Sequence, residues 1–152
     1  MICNGANLLI AQPLSSMIPY KRPGPGGVSK GLSEAGYDLS IAQSMWLFPG
    51  RRFRLASTVE RFKMPHDLVA IIHDKSTWAR RGLSVQNTVA EPGWEGWLTL
   101  ELVYYGWWPL FVPAGAGIAQ AIFHRLECPA DYGNGKYQMQ DNRPVAARET
   151  LT

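Results

Sequence analysis

Hydrophobic and polar positions alternate with a period of two along several short stretches of this chain. The clearest is Trp97-Leu98-Thr99-Leu100-Glu101-Leu102-Val103-Tyr104-Tyr105. Successive side chains of a strand point to opposite faces, so Leu98, Leu100, Leu102 and Tyr104 share one face while Trp97, Thr99, Glu101, Val103 and Tyr105 share the other. Further strand-like runs are predicted at Tyr37–Ala42, Arg52–Val59, Leu68–His73, Leu83–Asn87, Leu110–Val112 and Ala119–Arg125. The 11 prolines and 15 glycines are spread between these runs as turn signals and are not gathered into one linker. Many short strands with regular turns predict a mainly β fold, a barrel or a sandwich. Helical signal is confined to one short candidate, Ser76–Arg81, with Asp74 or Ser76 as its cap. Lys21–Val28 is basic and so rich in Pro and Gly that it reads as a flexible surface loop, with a loop that joins an anion site on ligand binding as the alternative. No internal repeat is present.

Length and composition narrow this further. With 152 residues, 46% hydrophobic and 18% charged, the chain is one globular domain able to bury a core. The formal charge of +3 permits an anionic small-molecule ligand. It does not point to nucleic acid, because no basic run exceeds a pair such as Arg51-Arg52 or Arg80-Arg81. The two cysteines, Cys3 and Cys128, lack metal-site spacing, so no zinc site is expected and both read as free thiols of a reducing compartment. The start MICNGANLLIAQPL has no basic leader, and no run of about 18 apolar residues occurs, which together predict a cytoplasmic protein outside the membrane. Residues 1–130 read as the β domain. Residues 131–152, poor in large apolar side chains, read as a tail that is either a frayed terminus or a lid over a bound nucleotide.

Candidate chemistry concentrates between Asp74 and Glu101. On its strand face Glu101 lies between Thr99 and Val103, where burial would raise its pKa into a range useful for moving protons; an edge-strand charge facing water is the equal alternative. His73-Asp74-Lys75-Ser76-Thr77-Trp78-Ala79-Arg80 puts two hydroxyls and two cations at a strand end that opens a helical turn. That pattern suits a phosphate cradle, although the residues alone favour a capped turn with solvated charges. Glu91-Pro92-Gly93-Trp94-Glu95-Gly96 reads as a tight turn. Trp94, Trp97, Trp107 and Trp108 read chiefly as packing residues of the core or a subunit contact, with stacking on a base as the alternative. His66, His73 and His124 lack metalloprotease spacing, and no Walker, nucleophile-elbow or dinucleotide motif occurs.

Taken together these segments resemble the dCTP deaminase and dUTPase superfamily over most of the chain. Ala35-Gly36-Tyr37-Asp38-Leu39 resembles its first motif, and Asp74 to Gly82 its phosphate motif, with Lys75 where arginine is usual. Glu91 to Gly96 followed by Leu98-Thr99-Leu100-Glu101 resembles the third motif in its deaminase form. Gly115 to Gln120 resembles the next β segment, and Lys136 to Gln140 the tail that closes on the triphosphate. The resemblance implies a distorted, jelly-roll-like β-barrel of the dUTPase type with one or two short helices, assembled as a homotrimer with sites between subunits. The glutamate of the Thr-Leu-Glu element separates deaminases from dUTPases, so Glu101 implies zinc-independent conversion of dCTP to dUTP. The alternatives are dUTP diphosphatase, a bifunctional enzyme, or a nucleotide-binding protein without turnover.

By the same resemblance Glu101, Ser76 and Arg80 are catalytic. Lys75, Thr77, Gln86, Asn87, Thr88, Glu91, Trp94, Tyr132, Lys136 and Gln140 contact a pyrimidine deoxynucleoside triphosphate, which carries Mg2+. Three departures bear on base choice: the chain is short for the branch, Glu91 replaces an aspartate, and the link from Gly82 to Glu91 is about two residues shorter than usual.

Overall fold

The alternating run around Glu101 is a strand, and it begins two residues earlier than its pattern predicts, at Glu95. The computed structural model describes residues 1–50 and 53–149, so Arg52 and the pair Arg51-Arg52 lie outside the described residues, as does the tail beyond residue 149. In chain order the elements are β1 (Ile2–Cys3), α1 (Gly5–Ala11), β2 (Arg22–Pro23), β3 (Ser29–Leu32), β4 (Tyr37–Ser40), β5 (Met45–Leu47), β6 (Phe53–Lys63), β7 (Leu68–Asp74), α2 (Ser76–Ala79), β8 (Leu83–Val85), β9 (Val89–Ala90), β10 (Glu95–Tyr104), β11 (Leu110–Val112) and β12 (Gly117–Arg125).

The larger sheet runs β2-β3-β4-β12-β7-β9, with β1 also paired to β12. The smaller runs β6-β10-β8, and β5 pairs with β11 in a separate two-stranded ladder. All the strand pairings are antiparallel. The sheets do not close into one continuous barrel, and the result is the distorted, jelly-roll-like β fold expected. One apolar core takes Tyr37, Leu39, Ile72 and Phe123 from the larger sheet and Ala56, Phe62, Leu100 and Leu102 from the smaller. Along β10 the predicted face holds: Leu98, Leu100, Leu102 and Tyr104 are all buried.

β6 and β10 pair through Leu55↔Glu101, Leu100↔Ala56 and Thr99↔Ser57, with a register shift between Trp97 and Thr99. At this irregularity the ladder loses a backbone partner, and the Thr58 side chain replaces it. Its hydroxyl donates to the Glu60 carbonyl at 2.8 Å and accepts from the Leu98 N–H at 3.1 Å. Glu60 is itself buried and accepts the Ser40 N–H at 2.9 Å; burial pushes its carboxyl above the usual range, with that hydrogen bond opposing.

Several local expectations are corrected. The Lys21–Val28 segment is paired, not loose: Arg22 and Pro23 face Lys30 and Ser29, and Pro25–Gly27 forms a 3-10 turn. Val28, only 2% exposed, anchors it in the core, a contact that Pro/Gly content cannot reveal. α1 went unpredicted because its seven residues bury only Leu8, too little for a helical period to show. α2 has Lys75 at its N-cap without a side-chain capping bond, so neither Asp74 nor Ser76 caps it. Asp74 instead accepts the Val85 N–H at 2.6 Å and the Ser84 hydroxyl at 3.2 Å, joining β7 to β8. Of the tryptophans, Trp94 is buried as expected, while Trp107 and Trp108 stand 89% and 81% exposed. Cys3 and Cys128 are free thiols, buried and exposed respectively. No helix among the described residues is long and apolar enough to cross a membrane.

Candidate active site

Glu101 sits near the middle of β10, opposite Leu55, and its backbone carbonyl accepts the Gln86 N–H at 2.9 Å. Its side chain is half-buried and faces a cavity of about 440 Å3. Phe53, Leu55, Val89, Leu98 and Val145 make much of that cavity's wall apolar, and Thr88, Thr99, Tyr132 and Gln140 supply polar groups. Burial of the carboxylate raises the Glu101 pKa above its ordinary value, while a backbone hydrogen bond opposes the shift. The charge that the strand pattern left open between catalyst and edge residue therefore faces a partly desolvated hollow. A carboxyl whose pKa is raised in this way holds its proton more readily than an exposed one, which suits it to proton transfer.

The C-terminal segment forms part of this hollow. Trp94 Nε1 donates to the Tyr137 carbonyl at 2.7 Å, Gln138 Nε2 to the Gly93 carbonyl at 2.9 Å, and the Met139 N–H to the Glu95 carbonyl at 2.8 Å. Gln140, 8% exposed, bridges to Gly96. Gly96 has φ +146°, and a Cβ there would stand 2.6 Å from the Gln140 nitrogen, so only glycine admits this approach. Trp94 thus serves chiefly as a buried anchor for the tail, although it also borders the cavity.

Lys75, Ser76 and Thr77 line a second cleft, of about 390 Å3, together with Lys21, Ser29, Asp38, Asp74 and Gln120. α2 is pinned there by Trp78, which is buried and donates from Nε1 to the Gly117 carbonyl at 2.6 Å. Lys75 Nζ lies 2.5 Å from Asp38 Oδ2, which also accepts the Ser29 hydroxyl at 3.0 Å. Asp38 is 1% exposed, and its Oδ1 has no hydrogen-bond partner. Removing one member of a buried ion pair strands the other's charge, so Lys75→Met is expected to lower unfolding free energy by on the order of 3 kcal/mol. Urea denaturation reads this directly; a variant as stable as the parent would show that Asp38 does not depend on Lys75.

The two hollows share no lining residue. Of the residues singled out from sequence, Glu101, Thr88, Glu91, Trp94, Tyr132 and Gln140 meet at the first, and Lys75, Ser76 and Thr77 at the second. Arg80, Gln86, Asn87 and Lys136 are exposed and line neither. Lys136 Nζ stands 5.4 Å from the Tyr137 ring centroid. Sequence reasoning overlooked the cavity wall formed by Phe53, Leu55, Val145, Ala146 and Ala147. The register of β6 against β10 would have pointed to the first two; nothing local to residues 145–147 marks them. Among the described residues no group of three or more His, Cys, Asp or Glu side chains is placed to hold a metal ion. A magnesium ion carried on a triphosphate needs only one or two protein carboxylates. The unpartnered buried Oδ1 of Asp38 is a hard oxygen donor that fits such an ion.

The architecture is the dUTPase-like β fold. The native dUTPase of EIAV superposes with a TM-score of 0.55 over 70% of this chain and 88% of that one, at 18% identity. A point-mutant dUTPase from S. aureus phage phi11, described as coordinating a structural Mg(II) ion, gives 0.55 over 64% of this chain and 81% of its own, at 15% identity. Residues 39–126 match the family model of dCTP deaminase-like proteins, and the chain belongs to that family. A dCTP deaminase of Campylobacter lari is 37% identical, covering 77% of this chain and 80% of the relative.

Proposed function

We propose that this protein deaminates dCTP to dUTP and ammonia without zinc, as a homotrimer whose sites lie between subunits. The observation that carries the reading is Glu101: a carboxyl with a raised pKa facing a mostly apolar cavity, on the Thr-Leu-Glu element that resembles the deaminase form of the family's third motif. In this role its carboxylate takes a proton from a water that attacks C4 of cytosine. The same group passes that proton to N3, then takes the second proton from the C4 hydroxyl and gives it to the amine as the C4–N4 bond breaks and the C4 carbonyl forms, so the balance is dCTP plus water to dUTP plus ammonia. Relatives named dCTP deaminase, at 37% and 36% identity, support the reaction.

Charge placement supports a shared site. Glu91 and Glu101 are the charged residues of the first cavity, and no lysine or arginine among the described residues lines it. A triphosphate needs cations that this cavity lacks, whereas Lys75, Ser76 and Thr77 gather in a separate cleft with Arg80 close by in sequence. Apposing the first cavity of one copy to the α2 region of another would join base and phosphate subsites. There Asp38 would meet Mg2+ arriving on the nucleotide, which supplies charge neutralisation for the phosphates, and Lys136 and Gln140 would close the tail on the ligand. Glu91 would face the sugar and Thr88 the base. We place this activity in the cytoplasm, among free nucleotides.

The test is to incubate purified protein with dCTP, and separately with dUTP, in the presence of magnesium, and to follow ammonia and pyrophosphate independently. Ammonia from dCTP without pyrophosphate is expected. Pyrophosphate from dUTP with no ammonia from dCTP would overturn the reading in favour of a dUTP diphosphatase, and both products together would mark a bifunctional enzyme.

A further inference from the structure

The C-terminal segment is attached to the smaller sheet in two places of different character. From Tyr137 to Gln140 it runs beside the start of β10 and is held there by backbone bonds, including Trp97 N–H to the Gln140 carbonyl at 3.3 Å, together with side-chain bonds of Trp94 and Gln138. Farther on, Val145, Ala146 and Ala147 wall the Glu101 cavity with small side chains that bury little area. The Val145 N–H donates to Thr99 Oγ1 at 3.0 Å, and the Thr99 hydroxyl in turn donates to Gln140 Oε1 at 3.1 Å. Thr99 is 6% exposed and lies two residues from Glu101, on the same face of β10.

Both partners of this hydroxyl belong to the tail. A strand position that served only packing would be filled as well by valine, which has the same shape and a comparable strand propensity. The hydroxyl therefore does something that sheet packing does not need.

We propose that Thr99 is a positioning residue whose hydroxyl ties residues 140 to 147 across the cavity, setting the wall that holds the pyrimidine over Glu101. The proposal rests on the deaminase reading and adds to it the residue that couples the tail to the catalytic strand. Because the tie connects Glu101's own strand to the tail, tail order and placement of the base become one property.

The deciding variant is Thr99→Val, which keeps shape and removes both hydrogen bonds, leaving the Val145 N–H and Gln140 Oε1 unpaired. For dCTP, kcat/KM is expected to fall about tenfold, mostly through KM, since the tail contributes binding that ground state and transition state share. Thr99→Ser should restore it. Removing residues 145 to 152 should cost the same, and adding Thr99→Val to that truncation should cost nothing more. In nucleotide-free protein the Val145 amide should exchange hydrogen about tenfold faster in Thr99→Val than in the parent. This last readout is independent of turnover, so it judges the tie even if the protein proves not to deaminate dCTP. A Thr99→Val protein with parental KM and an equally protected Val145 amide would overturn the proposal. Should Thr99→Val fail to fold, Thr99→Ala takes its place, and a Thr99→Ala loss that adds in full to that of the truncation would do the same.

Discussion

Replacing Glu101 with glutamine is expected to reduce ammonia release from dCTP by about 10³-fold, the scale of a positioned general acid-base group, while dCTP affinity changes little. Glutamine keeps the shape and a hydrogen-bonding end but can neither accept a proton from water nor pass one to the amine. Folding should not suffer, because burial already disfavours the charged form of Glu101 and the amide carries no charge. The pH profile gives a second check whose sign follows from the same shift. The base form of Glu101 is fully present only above its raised pKa, so kcat/KM should decline as pH falls through a value higher than that of an ordinary carboxylate. Single-turnover ammonia measurement with equilibrium dCTP binding separates the two quantities. A Glu101→Gln protein that deaminates at near the parental rate would end the assignment.

Two inactive variants are expected to regain activity when they are assembled together. Glu101→Gln spoils the first cavity and leaves the α2 cleft intact, while Ser76→Ala does the reverse. If each site draws the cavity from one copy and the cleft from the next, co-expression at equal levels should restore about one quarter of parental activity per site, the random-mixing expectation for a closed ring. Separately purified variants, mixed without subunit exchange, should stay inactive. The motivation is structural: Ser76 and Glu101 line hollows that share no residue, and the cavity around Glu101 offers a triphosphate no cation among the described residues. Mixed assemblies as inactive as either variant alone would place both groups in one subunit's site. The measurement is ammonia release per site, with mass spectrometry of the intact oligomer confirming the mixture.

Legibility in the sequence followed the range of the physics involved. The period-two pattern of β10 depends only on neighbours along the chain, and it placed Leu98, Leu100 and Leu102 inside and Glu101 on the opposite face. Composition could not reveal that Val28 tethers the Pro/Gly-rich segment, since that contact depends on distant packing. α1 escaped for a related reason: one buried leucine in seven residues leaves no helical period to detect.

The candidate site divides the same way. The family resemblance brought Glu101, Thr88, Glu91, Tyr132 and Gln140 into one list, and the fold gathers them around one cavity. It listed Lys75, Ser76 and Thr77 beside them, yet α2 is pinned by Trp78 to the Gly117 carbonyl and looks into a different hollow. Nor could spacing show that Lys75 is committed to Asp38 at 2.5 Å, across 37 positions of chain, a pairing made by the meeting of α2 with β4.

By itself, then, the sequence determined what local alternation and side-chain chemistry can determine: a mainly β chain, the inward face of its central strand, and a carboxylate on the other face. Only the tertiary structure decided that this carboxylate is half-buried, that the tail folds back to wall it through Thr99, and that the cation-bearing turn lies in a separate cleft. The reason is that burial and hydrogen bonding between residues far apart in the chain depend on where the chain returns in space, and one-dimensional periodicity carries no record of that return.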